Sequence, residues 1–295
     1  FLDRIGTPDL LKTENFWIKQ DGAIYRNPVR PLIDCLDDLP LPNYKIFYDN
    51  FSNLRNNPIK HFLLGRGCPY DCTYCFNHSL SQIYKDKGPR LRHKSPFYII
   101  QEIKSVLNEY SLECIYFRDD IFNSSKVWLD QFIPLYKQEV GLPFICQLRI
   151  EMVNENFILQ LINAGCVSIS LGIETGNEKL RSEVLNRHMS NEKIKIACAV
   201  LKKFNLPFCI NNMVGLPGET VENVFETLSL TQSLRPSYSW FQIFQPYPRT
   251  RLAEYACQMK LFDGDYDRVQ QSCHEKTALS FSPSHQRLVN NAHKL

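Results

Sequence analysis

Gly65-Arg66-Gly67-Cys68-Pro69-Tyr70-Asp71-Cys72-Thr73-Tyr74-Cys75-Phe76-Asn77 follows a short apolar run, His61-Phe62-Leu63-Leu64. It sets three cysteines at CxxxCxxC spacing in a loop rich in Gly, Pro and Asp. Thiolates three and four residues apart on a bent loop can converge on one small object, a metal ion or a cluster. A structural zinc site is closed by four protein ligands, whereas three ligands and one open position make a site that binds something else.

The chain around this loop has 295 residues and is 44% hydrophobic, enough for one large α/β domain or one domain with appendages. A net charge of +3 gives no electrostatic case for nucleic acid. No apolar run approaches bilayer length, so no membrane association is expected. The start, Phe1-Leu2-Asp3-Arg4, has neither a signal pattern nor an initiator Met and reads as an internal cut. Of the 11 cysteines, those outside the loop stand alone, several inside apolar runs where a thiol acts as a small hydrophobe. A secreted disulfide framework would be short and evenly paired, so a reducing cytoplasm is expected.

Before the loop, Phe16-Trp17-Ile18-Lys19-Gln20 and Ala23-Ile24-Tyr25-Arg26 flank Asp21-Gly22, a hairpin signal. Pro28, Pro31, Pro40 and Pro42 then make an extended connector, and these first fifty residues read as lying outside the main core. From Lys60 the chain alternates. Apolar strands are expected at 60–64, 113–118, 143–149, 166–173, 207–214 and 238–245. Helices are expected at 95–110, 124–139, 154–164, 177–186, 191–204, 219–234 and 251–260, and the stretch between the cysteine loop and Ser95 reads as a polar loop. Ser95-Pro96 supplies an N-cap and first turn, and Gly165 a stop. Six strands, none joined to the next as a hairpin, mean βαβ units and a parallel sheet, either doubly wound or barrel-like. In both closures ligands meet the C-terminal strand ends. That rim carries the cysteine loop, Arg118-Asp119-Asp120, Arg149, Gly172 to Gly176, Asn211 to Glu219 and Gln245 to Pro248.

Cys68-Pro69-Tyr70-Asp71-Cys72-Thr73-Tyr74-Cys75 after a first strand resembles the signature of the radical S-adenosylmethionine (SAM) superfamily. Leu171-Gly172-Ile173-Glu174-Thr175-Gly176, Val184-Leu185-Asn186-Arg187 and Met213-Val214-Gly215-Leu216-Pro217-Gly218-Glu219-Thr220 follow in the order of that family's later elements. The connector from Arg30 to Pro42 is similar to the segment that joins a cobalamin-binding domain to a radical SAM domain. The fold then expected is α/β, a partial (βα)6 TIM-like barrel of parallel strands. The resemblance divides the chain into 1–55, a hairpin and connector from an upstream domain; 56–250, the radical SAM core; and 251–295, a truncated helical tail.

The resemblance implies that Cys68, Cys72 and Cys75 hold a [4Fe-4S] cluster whose open iron takes the amino and carboxylate groups of SAM. Reductive cleavage then yields a 5′-deoxyadenosyl radical, fed by a reductant such as flavodoxin or ferredoxin. Methylation or radical rearrangement of a small-molecule or natural-product precursor is implied, with cobalamin in the full-length protein. Tyr74 and Phe76 would pack the cluster and adenine, Glu174 would bind the SAM amino group or ribose beside Gly172, and Arg187 would pair with the carboxylate. Arg149 is a second basic candidate, and backbone at Val214 and Gly215 would contact adenine. Where many members carry Gly-Gly-Glu, this chain has Phe117-Arg118-Asp119-Asp120, and both aspartates are read as polar groups facing SAM or substrate. Two rivals remain: a non-catalytic Fe–S or zinc module, and an RNA-thiomethylating radical SAM enzyme, which normally adds a basic tail and a second cysteine triad.

Overall fold

The computed structural model describes residues 2–122 and 125–294. The hairpin forms as its Asp-Gly turn dictates, with β1 (Trp17–Gln20) antiparallel to β2 (Ala23–Arg26). The connector then gives way to two single-turn helices, α1 (Lys45–Tyr48) and α2 (Ser52–Asn56). Here the reading of the first fifty residues needs correction, because Tyr48 is buried in the main core. Tyr44 donates to Glu102 at 2.6 Å, and the Tyr98 hydroxyl reaches the Leu39 carbonyl at 3.0 Å, so the connector is strapped to the body.

Strand β3 (Ile59–Phe62) leads to β4 (Gly65–Arg66), the cysteine loop and α3 (Phe76–Ile83). β5 (Arg92–His93) pairs with β4. The rest alternates: α4 (Pro96–Leu107), β6 (Cys114–Phe117), α5 (Lys126–Glu139), β7 (Phe144–Leu148), α6 (Glu155–Ala164), β8 (Cys166–Glu174), α7 (Asn191–Lys203), β9 (Phe208–Val214), α8 (Val221–Leu234) and β10 (Tyr238–Ile243). The tail adds α9 (Arg251–Gln258) and α10 (Pro283–Asn291).

Helix starts follow local chemistry: Ser95 Oγ accepts from Tyr98 N at 3.1 Å, and Asn154 Oδ1 from Phe157 N at 3.0 Å. Gly165 ends α6 at φ 107, a left-handed position suited to glycine. The helix expected to start at Ser124 begins at Lys126, and Ser124 lies outside the described residues. The helix expected at 177–186 is reduced to one π-helical turn, Leu180–Val184. No helix among the described residues is long and apolar enough to cross a membrane.

The parallel sheet has the order β3-β6-β7-β8-β9-β10. Every new strand joins the edge beside its predecessor, so right-handed crossovers put the helices on one face and the sheet curls into a half-barrel. The helix-facing side is packed solid, with Phe117, Phe132, Tyr136 and Phe144 fully buried. The inner face stays open, and at its C-terminal rim sits the cysteine loop.

Candidate active site

β3 and the β4–β5 ladder aim the cysteine loop. Gly67 has φ +86, and a Cβ there would lie 2.0 Å from the Arg90 carbonyl, so only glycine lets the loop turn so close to β5. Beyond it the loop is stitched to the far side of the rim. Thr73 N donates to the Leu185 carbonyl (3.2 Å), Thr73 Oγ1 to Val184 O (2.6 Å), and Asn186 Nδ2 to Asp71 O (2.9 Å). Leu252 N, in α9, donates back to Thr73 O at 3.0 Å. The thiols are thus held against the segment that carries Arg187.

A cavity of about 750 Å³ opens at this rim, and Cys68, Cys72 and Cys75 all line it. Burial pushes the Cys68 and Cys75 thiols up from their ordinary pKa. Two guanidinium groups face Cys72 Sγ, Arg149 Nη1 at 3.6 Å and Arg187 Nη1 at 3.9 Å. Arg149 Cζ sits over the Tyr70 ring, 3.6 Å from its centre, and the guanidinium pairs with Glu151 at 2.6 Å, which holds it in place. Opposite the loop, the Tyr74 hydroxyl donates to Glu174 Oε1 (3.0 Å), and Arg187 Nη1 stands 3.5 Å from the same oxygen. Arg187 Nη2 donates to the Gly172 carbonyl at 2.5 Å. Burial and the neighbouring Glu174 raise the Tyr74 pKa far above its usual value. Burial alone would lower the Arg187 pKa, but the Glu174 carboxylate and the polar groups packed around the guanidinium raise it, so it stays charged.

The structure therefore brings Cys68, Cys72, Cys75, Tyr74, Asp120, Arg149, Gly172, Glu174 and Arg187 to one cavity. Four of the expected residues are not among those that line this cavity. Asp119 is buried with its two carboxylate oxygens taken by Leu64 N (2.9 Å) and Gly65 N (2.8 Å), so it fastens the strand end instead of facing a ligand. Phe76 is 45% exposed and lies outside the cavity lining, because α3 turns it to solvent. Val214 and Gly215 are not among the cavity's lining residues: Val214 O accepts from Phe244 N (2.9 Å), and Gly215 N donates to Glu219 Oε2 (2.5 Å). Two residues were missed. Glu151 orients Arg149, and Arg181, fully buried, donates to backbone on both sides of Glu174. Nothing in a polar run such as Asn177 to Glu183 marks one arginine as buried.

The donor set fits the implied cofactors. Among the described residues no three His, Cys, Asp or Glu side chains close on a single ion. A cube binds each thiolate through a different iron, so its ligands stand further apart than those of one ion, and three thiols around one cavity suit it. Arg187 Nε is buried at the cavity without a protein partner, an unused donor where a ligand carboxylate would be met.

A parallel half-barrel with three thiols on its C-terminal rim carries its candidate active site where barrel enzymes carry theirs. The Radical SAM superfamily pattern matches residues 62–231, and the chain belongs to that superfamily. It is 29% identical over 239 residues to an uncharacterized methyltransferase of Pyrococcus horikoshii, covering 81% of this chain and 50% of the relative. It is 23% identical over 251 residues to the anaerobic magnesium-protoporphyrin IX monomethyl ester cyclase of Rubrivivax gelatinosus, covering 82% and 43%. In fold it is similar to the radical SAM methyltransferase TsrM of Kitasatospora setae, a structure with cobalamin and a [4Fe-4S] cluster bound. That match has a TM-score of 0.60 at 19% identity and covers 72% of this chain and 42% of the other. The chain spans about half the length of the curated relatives it matches.

Proposed function

We propose that this chain is the catalytic core of an enzyme that cleaves SAM reductively and uses the outcome to methylate or rearrange a small-molecule precursor. The observation that carries the reading is the meeting of the cysteine loop with Tyr74, Glu174 and Arg187 in one cavity. When bound, a cluster held by Cys68, Cys72 and Cys75 would supply the electron for cleavage and an open iron for the amino acid end of SAM. Arg187, with Nε to spare, would pair with the SAM carboxylate, and Glu174 would accept from its amino group or ribose. Arg149 and Arg187 would also point N–H donors at a cluster ligand, since both reach Cys72 Sγ. Cobalamin, supplied by a further domain, fits the resemblance of the connector and the methyltransferase relatives; a flavodoxin or ferredoxin would be the reductant.

The test is anaerobic reconstitution with iron and sulfide, read by electron paramagnetic resonance. The expected result is a reduced [4Fe-4S] signal that shifts when SAM is added, and 5′-deoxyadenosine formed under dithionite. A zinc-only protein, or a cluster indifferent to SAM, would overturn the reading.

A further inference from the structure

The SAM site proposed above uses only the rim of the cavity. Below it, the strand register lays out a second surface. β8 contributes Ser168, Ser170 and Gly172, a low floor where closed barrels carry bulky branched side chains. Gln147 lies beside Ser170, Asn211 beside Gly172, Trp240 beside Asn211, and Gln242 beside Met213. The Trp240 ring meets Tyr238 edge-on at 5.0 Å and the His274 ring at 5.4 Å with a tilt of 32°. The segment bearing His274 is fixed to the open edge of the sheet by Ile243 N donating to Cys273 O at 2.7 Å. Trp240 still keeps 41% of its surface accessible.

The charged side chains of the cavity come from the strand ends, Arg118, Asp120, Arg149 and Glu174, and from the segment after the π-helical turn, Arg187. Lower down there are rings, hydroxyls and amides. Asn211 Nδ2 donates to Ser170 Oγ at 2.8 Å, which leaves its Oδ1 for a ligand, and the Gln147 and Gln242 amides line the same space. A charged group placed there would be desolvated without a counter-charge. A saturated ligand would forgo the indole face, and one without polar edges would leave the amides unpaired.

We infer that this lower chamber receives an uncharged planar heteroaromatic ring system, stacked on Trp240 with its polar edge hydrogen-bonded by Asn211 and Gln242. The inference rests on the reading of the rim as the SAM site. It assigns the lower chamber to the substrate and Trp240 to its recognition.

The experiment uses the reconstituted full chain, saturated with SAM, and two neutral lactams as probes. Quinolin-2-one is flat, and decahydroquinolin-2-one has the same polar edge without the aromatic face. Calorimetric titration is expected to show saturable quinolin-2-one binding, at least tenfold weaker binding of the saturated lactam, and a tenfold loss in Trp240→Ala. Trp240→Phe, which keeps a ring, is expected to stay within threefold of wild type. Equal affinity for both lactams, no binding of either, indifference to Trp240→Ala, or competition with SAM would each overturn the inference. The SAM-induced change in the cluster signal, read on the same sample, reports separately on the rim reading.

Discussion

A side chain on Gly172 would occupy the place of the Glu174 carboxylate: a Cβ built there meets Glu174 Oε1 at 2.3 Å. Glu174 itself sits at φ 67, a left-handed conformation uncommon outside glycine, and the β8–β9 register slips between these two residues. The bulge re-aims a strand-end side chain into the cavity, a common use of such irregularities beside functional sites. For Gly172→Ala the obstructing atom is the far end of a flexible side chain, so the fold yields at a cost of about 1–2 kcal/mol. The carboxylate, however, must leave Tyr74 and Arg187. A SAM affinity at least tenfold lower is expected by equilibrium titration, with a melting temperature only a few degrees below wild type. Unchanged affinity would detach Glu174 from ligand binding.

Arg181 fixes the backbone on which that geometry depends. Its Nε donates to Ile173 O (3.2 Å) and Thr175 O (3.0 Å), and Nη1 to Met189 O (2.9 Å). Its Nη2 donates to Asn191 Oδ1 at 2.7 Å. Burial holds its pKa down to about 10, so it is still charged at neutral pH. Arg181→Met fills the volume but strands several buried carbonyls, each at a cost of about 1–3 kcal/mol. We expect a loss of about 3–5 kcal/mol in urea denaturation, the range seen when one partner of a buried charged network is removed. A loss below 1 kcal/mol would mean that water replaces these contacts.

The contrast between these residues shows what a sequence can carry. The six parallel strands were readable because each is a short apolar, β-prone run between turn signals, buried toward the helices and half-buried on the open face, and Ser95, Asn154 and Gly165 announce helix ends by side-chain chemistry and backbone freedom. The helix at Phe76–Ile83 was not readable: it is mostly polar and is anchored by Ser79 Oγ donating to Arg249 O at 2.6 Å, a contact 170 residues away in the chain. Past a strand end, alternation lapses, so nothing in Asp119-Asp120 says which carboxylate turns inward. Gly215 is closed off by the tail, since a Cβ there would lie 2.8 Å from Val289 Cγ1. A weakly patterned tail does not reveal which surface it covers.

Asp119 gives a pH signature. Burial outweighs the bonds from Leu64 N and Gly65 N and raises its pKa to about 6 in the folded protein. The unfolded value is about 3.9. The folded state therefore binds the proton more tightly between about pH 4 and pH 6, and stability from this group falls as pH rises through that window. Two pKa units correspond to about 3 kcal/mol. Asp119→Asn does not titrate, so wild-type stability measured relative to the variant is expected to drop by about 2 kcal/mol from pH 4 to pH 6.5, the rest of the span lying below pH 4. A difference that is flat with pH would place the folded pKa near the unfolded one.

Arg187 is where a conservative change separates charge from geometry. Its Nη2 donates to Gly172 O (2.5 Å), and Nη1 reaches Tyr74 (3.2 Å), Glu174 (3.5 Å) and Cys72 Sγ (3.9 Å). Lysine in its place keeps a cation beside Glu174 but offers one ammonium, which cannot hold the Gly172 carbonyl and also present a planar fork to a carboxylate. Arg187→Lys is therefore expected to fold and to take up iron and sulfide as wild type does, while SAM affinity falls at least tenfold. Arg187→Met leaves Glu174 buried and uncompensated, so it should in addition lose about 3 kcal/mol of stability. Wild-type SAM binding in Arg187→Lys would mean that another guanidinium holds the carboxylate. Arg149, 3.6 Å from Cys72 Sγ on the same wall, is then the residue to change.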